Sequence, residues 1–276
     1  MGYRTIVAVM QDEAGAAAML DVATGLAARF EAHLIGVHAE PLPMPIASPM
    51  GFPDATLIGA SEDINRAREE KLGELFASRL ARENLSYEWR SLRSFSGDSV
   101  LSALESARCG DIVVVGHGSG EGGSPDIDTL IQGAGRPVLL VPKERTVRTE
   151  VKRIVIAWNG SREAARAVFD ALPFILTAEE TTILTIDPVE RAGETGPLPG
   201  TEIAATLARH GAKVSIEPVS SGDWSRAQVM ERTVREKNAD LLVLGAFSHS
   251  RLREMIFGGT TRTIIENPPC LTLMAR

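Results

Sequence analysis

Short, unbroken apolar runs punctuate the chain: IVAV at 6–9, IVVV at 112–115, VLLV at 138–141, IVIA at 154–157 and LLVL at 241–244. Polar residues or glycine bound each of them. Runs of this length without alternation suit strands buried on both faces, as in a parallel sheet. Between them the apolar positions follow three–four spacing. Met19, Val22, Ala23, Leu26, Ala27 and Phe30 mark one amphipathic helix, and Leu72, Leu75, Phe76 and Leu80 a second. Ala165, Val168, Phe169, Leu172 and Leu176 mark a third, expected over 162–176. Strand and helix alternate along the whole chain. That alternation predicts an α/β fold with open, doubly wound sheets and right-handed crossovers. Ligands of such sheets sit outside the carboxyl ends of the strands, where the strand order reverses.

The pattern occurs twice. YRTIVAVMQ at 3–11 aligns with VKRIVIAWN at 151–159, and AHLIGVH at 32–38 with TTILTID at 181–187. NLSYEWRSL at 84–92 resembles GAKVSIEPV at 211–219. GDSVLSALESARCGDIVVVG at 97–116 resembles GDWSRAQVMERTVREKNADLLVLG at 222–245, and RPVLLVP at 136–142 resembles PPCLTLM at 268–274. Five blocks in the same order indicate a duplicated domain. The expected domains are 1–143 and 151–276, separated by the charged stretch KERTVRTE at 143–150.

Composition narrows the partners. The 276 residues carry 29 basic and 36 acidic side chains, a net charge of −7. A global basic footprint is absent, so no nucleic-acid partner is expected. No apolar run approaches the roughly 18 residues of a membrane helix, and the first apolar stretch is too short for a signal peptide. Cys109 and Cys270 are the only cysteines and form no CxxC, which suits a reducing cytoplasm. The five histidines lack metal-ligand spacing, and no metal site is expected.

The candidate chemistry concentrates in the second copy. After IVIA come Trp158, Asn159, Gly160 and Ser161; after LLVL comes GAFSHSRLREMIFGGTT at 245–261. Gly258, Gly259, Thr260 and Thr261 lead into the apolar-periodic RTIIE, a glycine-rich turn opening a helix. Backbone N–H groups and the helix dipole there attract anions. Glycines let the backbone approach a phosphate, and a threonine adds a hydroxyl donor. His249, Arg251 and Arg253 bring local positive charge to an acidic chain. Taken singly, these are a helix cap, a turn and solvated arginines, and Trp158, Phe247 and Phe257 are packing residues. Their combination at the ends of the expected strands is what points to an anionic ligand.

Both copies resemble universal stress protein domains. Nucleotide-binding members of that family carry Gly, two residues, Gly, nine residues and Gly-Ser. Gly245 matches the first glycine and Gly258 the third, thirteen positions on. PPCLTLM is similar to the family's closing strand, and IAWNGSREAARAV to its first strand and helix. The resemblance implies two tandem Rossmann-like domains, each with a five-stranded parallel sheet of order 3-2-1-4-5, paired as an intramolecular pseudo-dimer. It implies ATP or another adenine nucleotide as ligand, with or without Mg. Ala157, Trp158, Asn159, Ile186 and Leu244 would border the base and ribose. Gly245, Ser248, His249, Ser250, Arg251, Gly258, Gly259, Thr260 and Thr261 would surround the phosphates. Three positions depart from the pattern. Ser248 replaces the second glycine, Gly259 replaces the serine, and Asn159 replaces an aspartate that recognises adenine. Asparagine keeps one carbonyl acceptor for the adenine amino group.

The implied role is that of a cytoplasmic stress-response sensor or signalling module, with no catalytic residue assigned. Two alternatives stand beside it. One is a nucleotide-free interaction scaffold or small-ligand binder. The other is a slow ATP hydrolase or self-phosphorylating switch using His249 or Ser250, although the chain has neither a Walker lysine pattern nor evident paired carboxylates for a metal. Association of two chains into a homodimer stays open.

The first copy is expected not to bind nucleotide. Its loop HGSGEGGSPDIDTLIQGAG carries no Arg or Lys, and Asp126 falls at the position of Gly258, where a carboxylate repels phosphate. It also holds an insertion, PLPMPIASPMGFP at 41–53, expected to form a long loop.

Overall fold

The computed structural model describes residues 2–11, 13–41, 55–94, 99–116, 127–143, 149–188, 198–247 and 259–276. The chain divides into two compact units, Tyr3–Ala134 and Gly135–Arg276.

The first unit runs β1 (Thr5–Val9), α1 (Glu13–Phe30), β2 (His33–Pro41), α2 (Ala55–Leu80) and β3 (Tyr87–Ser94). A 3-10 turn at Ser99–Ala103 enters α3 (Leu104–Arg108), followed by β4 (Ile112–Gly116) and α4 (Ile127–Gly133). The strands lie in the order β3-β2-β1-β4, all parallel. The continuous apolar runs are buried on both faces: Ile6–Val9 and Ile112–Val115 are at most 1% exposed. Helix α1 buries Met19, Val22, Ala23, Leu26 and Ala27, and Phe30 meets Tyr3 edge-on at 5.1 Å. Helix α2 buries Leu72, Phe76 and Leu80. Gly36 on β2 makes room for that face, since a Cβ there would lie 2.6 Å from the Phe76 ring and 2.7 Å from Trp89. Pro41, expected to open the proline-rich loop, is instead the last residue of β2, opposite Ser94 on β3. Positions 42–53 of that insertion lie outside the described residues.

The second unit starts with β5 (Val138–Val141), β6 (Arg153–Ala157), α5 (Arg162–Asp170) and α6 (Leu172–Ile175). It continues with β7 (Glu180–Ile186), α7 (Thr201–Arg209), β8 (Val214–Val219), α8 (Arg226–Glu236), β9 (Leu241–Gly245), α9 (Thr260–Glu266) and β10 (Leu271–Ala275). Its strands follow β5-β10-β9-β6-β7-β8. All neighbours are parallel except β5, which pairs antiparallel with β10 through Leu140 opposite Thr272 and Val138 opposite Met274. By sequence β5 closes the first repeat. Its ladder to β10 explains why the compact units part ahead of it, whereas the repeat boundary expected from sequence falls at 143–150. Edge strand β8 is only half-buried and carries Pro218, which an edge tolerates.

The repeats share their anchoring as well as their order. Asp111 Oδ2 accepts from the backbone N–H groups of Arg4 and Thr5 at the entry to β1, at 2.6 and 2.9 Å. Asp240 Oδ2 accepts from Lys152 and Arg153 at the entry to β6, both at 2.9 Å. Each carboxylate satisfies two strand-end donors from the loop before the next parallel strand.

The third expected helix needs a correction. Phe169 and Leu176 are 45% and 41% exposed, and the buried face consists of Ala164, Ala167, Val168, Ala171, Phe174 and Ile175. The helix is also two segments, with Pro173 in the first turn of α6, where its missing N–H costs nothing. Of the stripe read from sequence only Val168 is fully buried, Ala165 and Leu172 are half-buried, and the face that packs is shifted to the neighbouring alanines, Phe174 and Ile175.

Candidate functional site

Strand β6 lies between β7 and β9, so the chain leaves it on one side and returns on the other. The crevice above its carboxyl end is the switch point where open α/β sheets hold ligands. Ala157 is paired with Leu184 on β7 and Leu244 on β9, and Trp158 N–H extends the ladder to the Leu184 carbonyl at 2.8 Å. The chain then turns. Gly160 adopts φ +73°. Asn159 Oδ1 accepts from Ser161 N–H at 3.0 Å, and Ser161 Oγ accepts from Ala164 N–H at 3.1 Å. The first bond closes an Asx turn and the second caps α5. Trp158 is half-buried and Asn159 exposed. The oxygen expected to receive an adenine amino group thus already accepts one bond from the chain's own backbone, which leaves it a second lone pair.

At the end of β9, Leu244 is buried and Gly245 pairs with Ala275. Gly245 owes its identity first to packing. A Cβ there would lie 2.4 Å from Ala164 N and 2.5 Å from Glu163 C, so the first turn of α5 rests directly on the end of β9. Ala246 N–H still bonds the Ala275 carbonyl at 2.9 Å, and Phe247 then takes φ +55°, a strained conformation for a bulky side chain.

Sequence reasoning missed Glu163. It is 4% exposed in the first turn of α5, and its Oε1 accepts from Arg162 Nε at 2.6 Å. Burial pushes its carboxyl up. Hydrogen bonds from Arg162, its own backbone amide and Ser161, together with the Arg162 charge, outweigh that and set it below its usual value. An acid in the first helical turn was the available signal; its burial was not visible.

On the neighbouring strand Ile186 is half-buried, and Asp187 follows with φ +47°. Asp187 clamps the ends of β7 and β8, its two oxygens accepting from Ser221 N–H at 2.8 Å and Ser221 Oγ–H at 2.7 Å. These bonds hold its carboxyl below the ordinary range. Gly259 stands at the N-cap of α9 without a side-chain cap, Thr263 N–H bonds its carbonyl at 2.7 Å, and Thr260 and Thr261 are half-buried in the first turn. Helices that link parallel neighbours run against the strands, so α5 and α9 both begin at the carboxyl edge.

The Universal stress protein family model matches residues 150–276. Residues 150–276 are a universal stress protein domain. A universal stress protein from Archaeoglobus fulgidus DSM 4304 overlays on 98% of this chain and 96% of its own, with a TM-score of 0.67 at 15% identity. A putative universal stress protein from Pseudomonas aeruginosa UCBPP-PA14 overlays on 99% of this chain and 93% of its own, with a TM-score of 0.60 at 18% identity. At these identities the likeness is one of fold, and it extends over both halves. No curated protein matches the chain.

Within the universal stress protein domain, Ala157, Trp158, Asn159, Leu244 and Gly245 lie at the neighbouring carboxyl ends of β6 and β9, with Ile186 on the adjoining strand. Ser248, His249, Ser250, Arg251 and Gly258 lie outside the described residues, as do Arg253 and Phe257. Among the described residues no group of three or more His, Cys, Asp or Glu could hold a metal, and no helix is long and apolar enough to cross a membrane. At the matching place in the first unit, Gly116 faces Gly15, where the universal stress protein domain has Glu163. A cavity of about 10 Å³ remains between Gly116, Gly15, Gln11 and Met19.

Proposed function

We propose that the universal stress protein domain binds a nucleoside phosphate, with an adenine nucleotide such as ATP the ligand implied by the family resemblance. The observation that carries this reading is the switch-point crevice itself. Its floor is the ladder Leu184–Ala157–Leu244, its rim the Asx turn of Asn159, and its wall the start of α5 on Gly245. In this reading the base and ribose lie near Ala157, Trp158, Asn159, Ile186 and Leu244. The phosphates lie over Gly245 and the segment through Ser248, His249, Ser250, Arg251, Gly258, Gly259, Thr260 and Thr261. Mg, when present, arrives with the phosphates. In this reading the first domain does not share the activity: the space between Gly116 and Gly15 is no larger than a single water would need. The protein then acts as a cytoplasmic sensor whose state follows nucleotide occupancy.

The test is thermal unfolding of the intact protein against ATP with Mg. Binding to the folded state alone raises the midpoint progressively with ligand concentration, the stabilisation reaching about 2.7 kcal/mol at a hundredfold excess over Kd. No shift at millimolar nucleotide, with none released from the purified protein on denaturation, contradicts the reading.

A further inference from the structure

We propose that edge strand β3 of the first unit is an interaction surface for a second copy of this chain, the two β3 strands pairing antiparallel about a two-fold axis at Trp89. The surface belongs to the first unit and needs no nucleotide.

Among the described residues, β3 pairs only with β2. Leu34, opposite Tyr87 in the register, donates its N–H to the Ser86 carbonyl at 2.9 Å. In a parallel ladder alternate residues turn both backbone groups toward the same neighbour. Glu88, Arg90 and Leu92 therefore turn theirs to β2, and Tyr87, Trp89 and Ser91 turn theirs to the open edge. Among the described residues nothing pairs with these outward groups.

The other repeat guards the corresponding edge. On β8 the carbonyls of Lys213 and Val219 accept from Thr181 and Asp187 N–H, both at 2.9 Å, so Val214, Ile216 and Pro218 are the outward residues. Pro218 has no N–H to give, and its ring opposes strand addition. The alignment of 84–92 with 211–219 sets Ser91 at the place of Pro218. Strand β3 is also longer, eight residues against six, and holds no proline.

Charge selects both the occupant and the register. Glu88 and Arg90 form an ion pair along the strand, and both are partly exposed. With the axis at Trp89, Trp89 faces its own copy and Tyr87 faces Ser91 of the partner subunit. These outward residues exchange N–H···O bonds on both sides of the axis. Glu88 then lies opposite Arg90 of the partner subunit at non-hydrogen-bonded sites, where side chains approach more closely. Arg90 meets the partner's Glu88 in the same way. Moving the axis to residue 88 or 90 sets Glu88 or Arg90 against its own copy, and like charges repel. The strand is thus complementary to itself about Trp89, as an isologous two-fold interface requires. Exposed Tyr87 and half-buried Trp89 add aromatic surface at the axis, each packed on Phe76 of α2.

Sedimentation equilibrium of the full chain without nucleotide is expected to show a reversible monomer–dimer equilibrium. Ser91→Pro, which copies the β8 edge, is expected to be monomeric with an unchanged circular dichroism spectrum. Glu88→Arg and Arg90→Glu alone are each expected to lose the dimer through like charges across the axis. Mixing these two variants is expected to restore it, since each then meets opposite charges, a rescue that damaged folding would not give. A monomeric wild type at every soluble concentration, or a dimer that persists in Ser91→Pro and Glu88→Arg, overturns the proposal. A mixture that stays monomeric overturns the register.

Discussion

Gly245 touches Ala164 so closely that a single methyl group would not fit: its Cβ would sit 2.4 Å from the Ala164 backbone nitrogen. The end of β9 and the start of α5 are thereby one rigid corner, and the crevice rim is built on it. Gly245→Ala is expected to force α5 away from the sheet, costing about 1–3 kcal/mol, the usual range for overpacking, and weakening ligand binding. Gly116→Ala is the control. The nearest atom there, the Gly15 carbonyl oxygen, is 3.0 Å away, so the loss is smaller. Urea denaturation of both variants measures the difference.

The two serine caps separate stability from binding. Ser161 Oγ accepts from Ala164 N–H, and Ser225 forms a reciprocal capping box with Gln228 at the start of α8. Replacing either by alanine is expected to cost about 1 kcal/mol in denaturant titrations. Only Ser161→Ala loosens the loop that carries Asn159. Calorimetry is therefore expected to show weaker nucleotide binding for Ser161→Ala and none of that change for Ser225→Ala.

The acid limb of stability follows from Asp187. The backbone and hydroxyl hydrogen bonds from Ser221 lower its folded pKa below the ordinary aspartate value of 3.8. The unfolded chain then holds more protons than the folded one between those two values. Its contribution is complete well above pH 3.8 and disappears as pH falls through the folded pKa. Asp187→Asn is expected to flatten this part of the stability–pH profile, measured by unfolding between pH 7 and 2.5.

Asp170 carries the opposite sign. Burial raises its pKa above the ordinary aspartate value of 3.8, and the Arg166 hydrogen bond with the charges of Arg166 and Arg136 only partly offsets that. The folded state takes up its proton first, so stability associated with this group grows as pH falls through its folded pKa. Asp170→Asn is expected to be the more stable protein at neutral pH, with the advantage shrinking in acid on the same unfolding series.

The strands were legible because burial on both faces leaves no polar alternation: Ile6–Val9, Ile112–Val115 and Leu241–Leu244 stand out as unbroken runs. The phase of the helix after β6 was not. Close approach to Gly245 demands a small residue at Ala164, and the buried face runs on from it through Ala167, Val168 and Ala171, while the larger Phe169 and Leu176 are left outside. Ranking positions by hydrophobicity selects the wrong side of such a helix. The same limit applies to the candidate site. The turn after β6 and the glycine ending β9 were readable from their place in the repeat. The burial of Glu163 and the bond received by the Asn159 oxygen depend on contacts within the folded corner, which spacing alone does not encode.

The central claim is a nucleoside phosphate site in the second domain and none in the first. Calorimetric titration of the full chain with ATP in the presence of Mg tests it through stoichiometry. The account predicts one nucleotide per chain, with binding weakened by Gly245→Ala and retained in Gly116→Ala. Absence of binding, or two nucleotides per chain, would contradict it.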